Sequence, residues 1–546
     1  MSLSAGGGFA RVSALVCTLL ACGAHAAASV RAEPDSTTWY VSAAAPIGGD
    51  GTRDAPFGSL AAVETASRAG DTIVVRAVAP DVAPLDGGIA LKPGQRLLGE
   101  GPAVIGAPAG TALPRIANTT AANDGDAVRL AERTEVGNLV IAGAQRGGVY
   151  GHDAVDTVIT GNDVSQTNRS CADGFLIGPF TLPPGLPFGV ALPPAPDFIT
   201  LDNGWAAIMT DFTAGAGFTR IAGNSVHDTA CGDGIDVRAH GTSRVHAEVT
   251  GNDLRTINLG PGNLSVLALG VQAGDSAQLT ATLNGNAQSE IASPASSLLN
   301  EIADSEGVFI NAEGRARMDV TIDDNRFRDG YGNFSANGLE YVSTNGSPVS
   351  RVRVTDSSFE NVTGDIIENY NLSTEGAQQS LTLENVRAHH SEFPAAVLNS
   401  LIPANLGTCL VTTNFGRDAR TELHVTDSSF GGCSADGIGL IAYTPAGGVP
   451  ATSALTFDIG GTVIEGAAAH GINIINVGDT AVLRGTVART SVSGANGSLI
   501  RVDSNGVIAG AALEFGAGEL DGSARSCLAE PHPRVRVSGI AVTCGS

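Results

Sequence analysis

Polar and apolar residues alternate along most of this chain with the two-residue period of a strand, and the alternation breaks at regular intervals. One recurring unit is a polar residue, a glycine and then alternating apolar positions. It reads DGFLI from Asp173, NGWAAI from Asn203, DGIDV from Asp233 and EGVFI from Glu306. NGLEYV from Asn337, DGIGLI from Asp436 and HGINII from His470 repeat it. Gly174, Gly204 and Gly234 are spaced by 30 residues, Gly307 and Gly338 by 31, and Gly437 and Gly471 by 34. Self-similarity at such a period predicts a stacked solenoid. A second unit fills the other half of each repeat: VHAEVTGNDL (245–254), MDVTIDDNRF (318–327), VRVTDSSF (352–359) and LHVTDSSF (423–430). Each has one apolar face and ends in Asn, Asp or Ser at a bend. Neither unit carries the 3.6-residue stripe of a helix, so each repeat is a coil of two or three short strands. Coils stacked in parallel at about 4.8 Å bury one face of every strand and leave the other for solvent or ligand.

Three segments interrupt the period. The run 178–198, GPFTLPPGLPFGVALPPAPDF, is proline-rich and is expected to protrude. Segment 285–306 reads as a short helical excursion, and 400–412 lengthens a third coil. Insertions of this kind wall one face of a solenoid. The polar residues before the motif glycines read as bend caps, Asn252, Asn325 and Asn385 as a turn ladder, and Phe327, Phe359 and Phe430 as a stacked core.

Composition narrows the partners. With 546 residues the chain exceeds one ordinary globular core, and 43% hydrophobic residues exclude wholesale disorder. A net charge of -24 argues against nucleic acid or an anionic membrane as partner. Lys92 is the one lysine, which leaves a lysine-based mechanism almost nowhere to reside. Arg11 followed by VSALVCTLLACGA reads as an export signal, with cleavage after AHA (24–26) or, as the alternative, lipid attachment at Cys22. No later run is apolar enough for a transmembrane helix. Cys171, Cys231, Cys409, Cys433, Cys527 and Cys544 form no CxxC pair, and an even number in an exported chain favours disulfides over metal. Cys171 and Cys231 can bond only if the proline-rich run is an insertion within one coil, which we favour. Cys409–Cys433 and Cys527–Cys544 are the remaining expected pairs.

The stretch WYVSAAAPIGGDGTRDAPFGSLAAVETASRAGDTIVV (39–75) resembles the opening of bacterial secreted proteins of the pectin lyase-like superfamily, where YVS…GxDGT…PFxSLxxA…GDTI supplies a first strand, a loop and a capping helix. The resemblance implies an all-β fold, a right-handed parallel β-helix of roughly a dozen coils with a short N-terminal capping helix at 60–66. The corresponding organisation is a signal peptide at 1–28, an N-terminal cap segment at 29–85, the parallel β-helix at 86–526 and a C-terminal cap at 527–546. That superfamily contains lyases, glycoside hydrolases, epimerases, adhesins and inert surface proteins, so the fold alone does not give the function.

Register selects the candidate chemistry. With Ile235 and Val237 inside, Asp236, Arg238 and His240 face outwards, and the same register turns Phe309, Glu340, Glu368 and Tyr370 out. Carboxyls on adjacent coils lie at the spacing of paired acids in retaining glycosidases, about 5–5.5 Å. Asp236, Glu340 and Glu368 are therefore the expected catalytic acids. Phe309 and Tyr370 are expected to platform a sugar ring, Arg238 to orient a carboxylate-bearing sugar, and His240 to assist binding. The expected function is a polysaccharide-active enzyme, a glycoside hydrolase ahead of a lyase, with no cofactor or metal unless a lyase chemistry brings calcium. The alternative is a non-catalytic surface protein that binds glycans or forms an adhesive rod, with its polar residues spread evenly.

Overall fold

Alternation becomes architecture as soon as the strands are placed. The computed structural model describes residues 36–101, 113–180, 199–260, 265–292, 304–331, 336–373, 375–392, 407–415, 418–443, 453–477 and 481–504, and the strands at 513–515, 518–522, 526–529, 535–537 and 540–544. For 175–202, and from 503 onward, the description is of the backbone. The signal segment, Cys22 and most of the three interrupting segments lie outside it.

The strands form three parallel sheets of 16, 14 and 16 members. The chain passes from the first sheet to the second and third, then returns one strand further along, which makes a right-handed parallel β-helix. The first sheet runs from Thr38–Val41 to Val535–Val537, the second from Arg115–Ile116 to Ile540–Cys544 and the third from Ile89–Ala90 to Ser526–Ala529. The ladder thus reaches further toward both ends than the expected 86–526. Helix α1, Leu60–Ala66, forms at the expected cap, with Ser59 Oγ accepting from the Ala62 N–H at 3.3 Å and Leu60 and Val63 buried.

Inward positions stack coil upon coil. Ile159, Ile221, Val249, Leu283, Ile322, Val354 and Leu383 are register partners in one column of the first sheet. Phe327 pairs directly with Phe359, and Ala388 separates Phe359 from Phe430. All three rings are buried, so the predicted aromatic stack exists with one alanine in it. At the turn into the second sheet, Asn162, Asn224, Asn252, Asn286 and Asn325 form a buried ladder. Each of the first three Nδ2 groups donates to the next Asn Oδ1 and to a backbone carbonyl. Every coil thus satisfies the polar groups of its neighbour away from water. Asn385 is off this ladder by one residue: it is exposed at φ 54, and its Nδ2 donates to Asp356.

The structure corrects the reading of several segments. Asp173–Phe180 and Ile199–Gly204 are not rungs but an antiparallel hairpin off the parallel path. The 30-residue spacing of Gly174 and Gly204 therefore mimics a period that the coils do not have there, and Ile208–Phe212 is the true rung before Ile235–Ala239. Residues 287–292 of the presumed helical excursion are a strand of the second sheet, and 410–414 are a strand of the third.

Cys409 and Cys433 are disulfide-bonded, with Cα atoms 5.4 Å apart. Cys171 and Cys231 fall on neighbouring coils, because the hairpin is an insertion within one coil, yet they remain thiols that hydrogen-bond each other. The side chains of Cys527 and Cys544 lie outside the described residues.

Candidate active site

Of the outward residues predicted from register, Asp236, Phe309, Glu340 and Glu368 share one column of the third sheet, while Arg238 and Tyr370 share the next outward column. Tyr150, Met209, Asp236, Gly270, Phe309, Glu340, Glu368 and Val411 are partners on eight successive coils. What the expectation missed is burial. Asp236 is 0% exposed, Phe309 1% and Glu368 6%, while Glu340 and Tyr370 are partly buried. Phe309 packs into an apolar cluster with Met209, Leu267, Val342 and Phe415, so it is not an open sugar platform. Tyr370 borders that cluster, and its phenol hydrogen-bonds Glu368; burial and the neighbouring carboxyls push its pKa well up.

Carboxyls cannot be buried singly without cost, and here they come in pairs. Asp233 stands at the bend before Ile235–Ala239, where its Oδ1 accepts the Leu267 N–H at 2.8 Å. It therefore caps the next coil, as expected of a residue before a motif glycine. Its carboxyl lies beside that of Asp236, and the proximity of two buried acids favours the protonated form of Asp233. Burial pushes Asp236 up to about 7, and burial with the Asp236 charge pushes Asp233 well above the ordinary range.

Asp365 repeats the arrangement. Its Oδ1 accepts the N–H groups of Gly407 at 2.8 Å and Thr408 at 2.5 Å, its carboxyl pairs with Glu368, and burial carries it up to about 7. Glu340 hydrogen-bonds Glu306 from the preceding coil and Asn337, and burial raises it too. Asp436 shows the cap without the second acid, accepting the His470 N–H at 2.9 Å and the Asn473 amide at 2.7 Å.

Two centres result. Glu340 and Glu368 are direct partners on adjacent coils, with Glu306 and Asp365 behind them. Their strands are about 4.8 Å apart. Asp236 lies three strands from Glu340, about 14 Å, beyond the 6.5–9.5 Å or so of even an inverting acid pair. It therefore does not join the same reacting centre as the expectation had it, and forms a separate pair with Asp233. Burial of these neighbouring acids favours the protonated forms of Asp233, Asp236, Glu340 and Asp365.

Arg238 and His240 border the Asp236 centre. Arg238 Nε donates to Gln272 Oε1 at 3.2 Å, and its guanidinium feels the carboxyls of Asp211, Asp236 and Glu313. Burial lowers Arg238 and His240 and raises Glu313. At the N-terminal end of the face, Arg146 lies over the Trp205 ring at 4.0 Å, and Tyr150 meets Trp205 edge-on at 5.0 Å. Asp126 holds Arg146 through bonds of 2.9 and 2.7 Å and Arg129 through one of 3.0 Å.

Sequence reasoning missed Glu306 and Asp365 as partners of the acids, and the Arg146–Trp205–Tyr150 group altogether. A signal for Asp365 was present, since DGID and DIIE repeat an acid at i and i+3 across a bend; Glu306, which meets Glu340 on the next coil, carries no such signal.

Fold and site define a right-handed parallel β-helix with neighbouring buried carboxyls on one closed face. No family model and no curated protein sequence matches the chain. Among solved structures it is similar to the catalytic unit of a thermostable GH87 α-1,3-glucanase from Streptomyces thermodiastaticus, with 12% identity, 92% of this chain and 70% of that one covered, and TM-score 0.37. It is also similar to the pectate lyase Pel9A, with 10% identity, coverage of 93% and 78%, and TM-score 0.25. A GH136 lacto-N-biosidase from Eubacterium ramulus shows 12% identity, coverage of 88% and 68%, and TM-score 0.28. At these scores the likeness carries no argument about the reaction.

Proposed function

We propose that the chain is an exported polysaccharide-active enzyme that cleaves glycosidic bonds on the third-sheet face, by hydrolysis rather than elimination and without a cofactor. The observation that carries this reading is the register pairing of Glu340 with Glu368, each backed by a second carboxyl. Hydrolysis needs one protonated and one ionised carboxyl on either side of a bond, and two carboxyls on adjacent coils, with Glu340 raised by burial, suit that division. The adjacent-coil spacing favours the retaining geometry, with one of the two as nucleophile. Export is supported by the leader-like N-terminus and the Cys409–Cys433 bond.

A rod or adhesin would spread acids, arginines and aromatics along the helix. Exposed arginine–carboxylate pairs do run along the first and second sheets, but the buried acids Asp233, Asp236, Asp365 and Glu368 belong to the third-sheet side, which favours the enzyme. The deciding experiment is digestion of a glycan panel by the wild type, Glu340→Gln and Glu368→Gln. New reducing ends with the wild type and their loss in both variants support the reading. Unsaturated products would indicate a lyase, and no product on any polymer, or undiminished activity in both variants, would sink it.

A further inference from the structure

Two residues beyond the carboxyl column, three successive coils present Arg238, Gln272 and Asn311 in register. The row spans about 10 Å, from the Asp236 coil to the one before Glu340. Gln272 and Asn311 are both 0% exposed. Gln272 Oε1 accepts from Arg238, and Asn311 Oδ1 accepts from Thr344 Oγ1 at 3.2 Å, which orients the two amides. Asn311 also faces Glu313 and Gln272 faces His240, yet Gln272 Nε2, Asn311 Nδ2 and His240 Nε2 each lack a well-formed hydrogen bond among the described residues. Buried donors in that condition are costly, and so many side by side point to a ligand that supplies acceptors. Gly274 closes the row: a Cβ there would come within 2.6 Å of His240 Nδ1 and 3.0 Å of Glu313 Oε1, so the glycine leaves room for both groups to reach in.

We infer that this row is the subsite for a neutral, hydroxyl-rich sugar unit of the glycan, not for a uronic acid. The inference rests on the glycan-active reading above and sets its substrate class. Sugar hydroxyls accept from amide and imidazole N–H groups and donate to carboxylates, and the site offers both kinds of partner. Asp211, Asp275 and Glu313 lie around Arg238 and His240. The carboxylate of a uronate only accepts, and it would add a negative charge beside Asp211, Asp236 and Glu313, which Arg238 alone offsets in this row. The expected role of Arg238 in orienting a carboxylate-bearing sugar is revised accordingly: it positions Gln272.

Titration calorimetry with the full chain carrying Glu340→Gln tests this without turnover. The probes are neutral hexasaccharides of glucose, xylose, mannose and galactose, and acidic hexasaccharides of galacturonate and mannuronate. A neutral probe is expected to bind at least tenfold more tightly than every acidic one. Gln272→Leu and Asn311→Leu are each expected to weaken it tenfold or more with the melting temperature unchanged or raised, because each removes an unmatched donor. Gln272→Met and Asn311→Ser, which alter shape less, should follow the same order. Preference for an acidic probe, undiminished neutral binding in all four variants, or binding of neither class overturns the subsite. Neutral binding without cleavage by the wild type removes only the proposed reaction.

Discussion

Glu340 and Glu368 are register partners on adjacent coils of one parallel sheet, and each is hydrogen-bonded to a further carboxyl, Glu306 and Asp365. Parallel pairing without a bulge leaves neither residue freedom to move along the sheet. Four acids in one buried patch must then divide their protons among them, which makes the patch one titrating unit rather than four independent groups.

Residues that act as a unit are not additive when removed. Glu340→Gln and Glu368→Gln are each expected to lower kcat on a cleaved glycan by about 10²–10⁴-fold. The double variant is expected to fall little below the worse single one. Steady-state kinetics on the polymer found in the digestion panel checks this, and multiplicative losses would contradict it.

Stability should fall as pH rises across the neutral range. Asp236 and Asp365 titrate at about 7 in the folded chain and at the ordinary value of about 4 when unfolded, and Asp233 and Glu340 are raised as well. Between those values the folded state holds protons that the unfolded chain has released, so raising the pH favours unfolding by up to about 1.4 kcal/mol per unit for each extra proton held. Asp86 and Asp153 act the other way at lower pH: burial opposes them, but bonds from Thr119 and Thr213 hold them low. Urea midpoints are expected to be higher at pH 5 than at pH 8, with a shallower slope in Asp236→Asn. A midpoint that rises from pH 5 to pH 8 would show that the pairs are not protonated.

The coil pattern was legible because a period of two and a repeat of about 30 residues each have a local cause in strand alternation and bend residues. So was the outward column, since register alone places Asp236, Phe309, Glu340 and Glu368 together. Burial of that column was not legible, because what covers a sheet face is decided by distant chain. The pairing of Asp233 with Asp236 was hidden for a different reason. On a straight strand i and i+3 point to opposite faces, and only the bend before Ile235 turns Asp233 back. The hairpin at 173–204 was misread because its own asparagine–glycine pair copies the coil motif at the coil spacing.

The asparagine ladder separates a structural asparagine from a surface one. Asn252 donates to Ile221 O and Asn286 Oδ1 and accepts from Asn224 through both backbone and side chain. Asn252→Ala strands several buried partners and is expected to cost about 2–4 kcal/mol. Asn385→Ala removes one exposed bond to Asp356 and is expected to cost under about 0.5 kcal/mol. Denaturant unfolding of the two variants checks the contrast, and equal losses would contradict it.

Two glycines of the same outward column differ in what stands beside them. A Cβ at Gly270 would sit 2.5 Å from Asp236 Oδ1 and 3.0 Å from Leu267 Cδ1, whereas one at Gly439 would meet Val411 Cγ2 at an ordinary 3.5 Å. Gly270 is therefore the space that lets Asp236 lie back against Asp233. Gly270→Ala is expected to destabilise by about 1–3 kcal/mol through overpacking, and Gly439→Ala by much less. Because the collision is with a single carboxyl, truncating it should relieve most of the strain. Asp236→Ala should therefore make Gly270→Ala nearly neutral, a coupling of about 1–2 kcal/mol in a double-mutant cycle. Additive losses would place the strain at Leu267 and leave Asp236 without its mould.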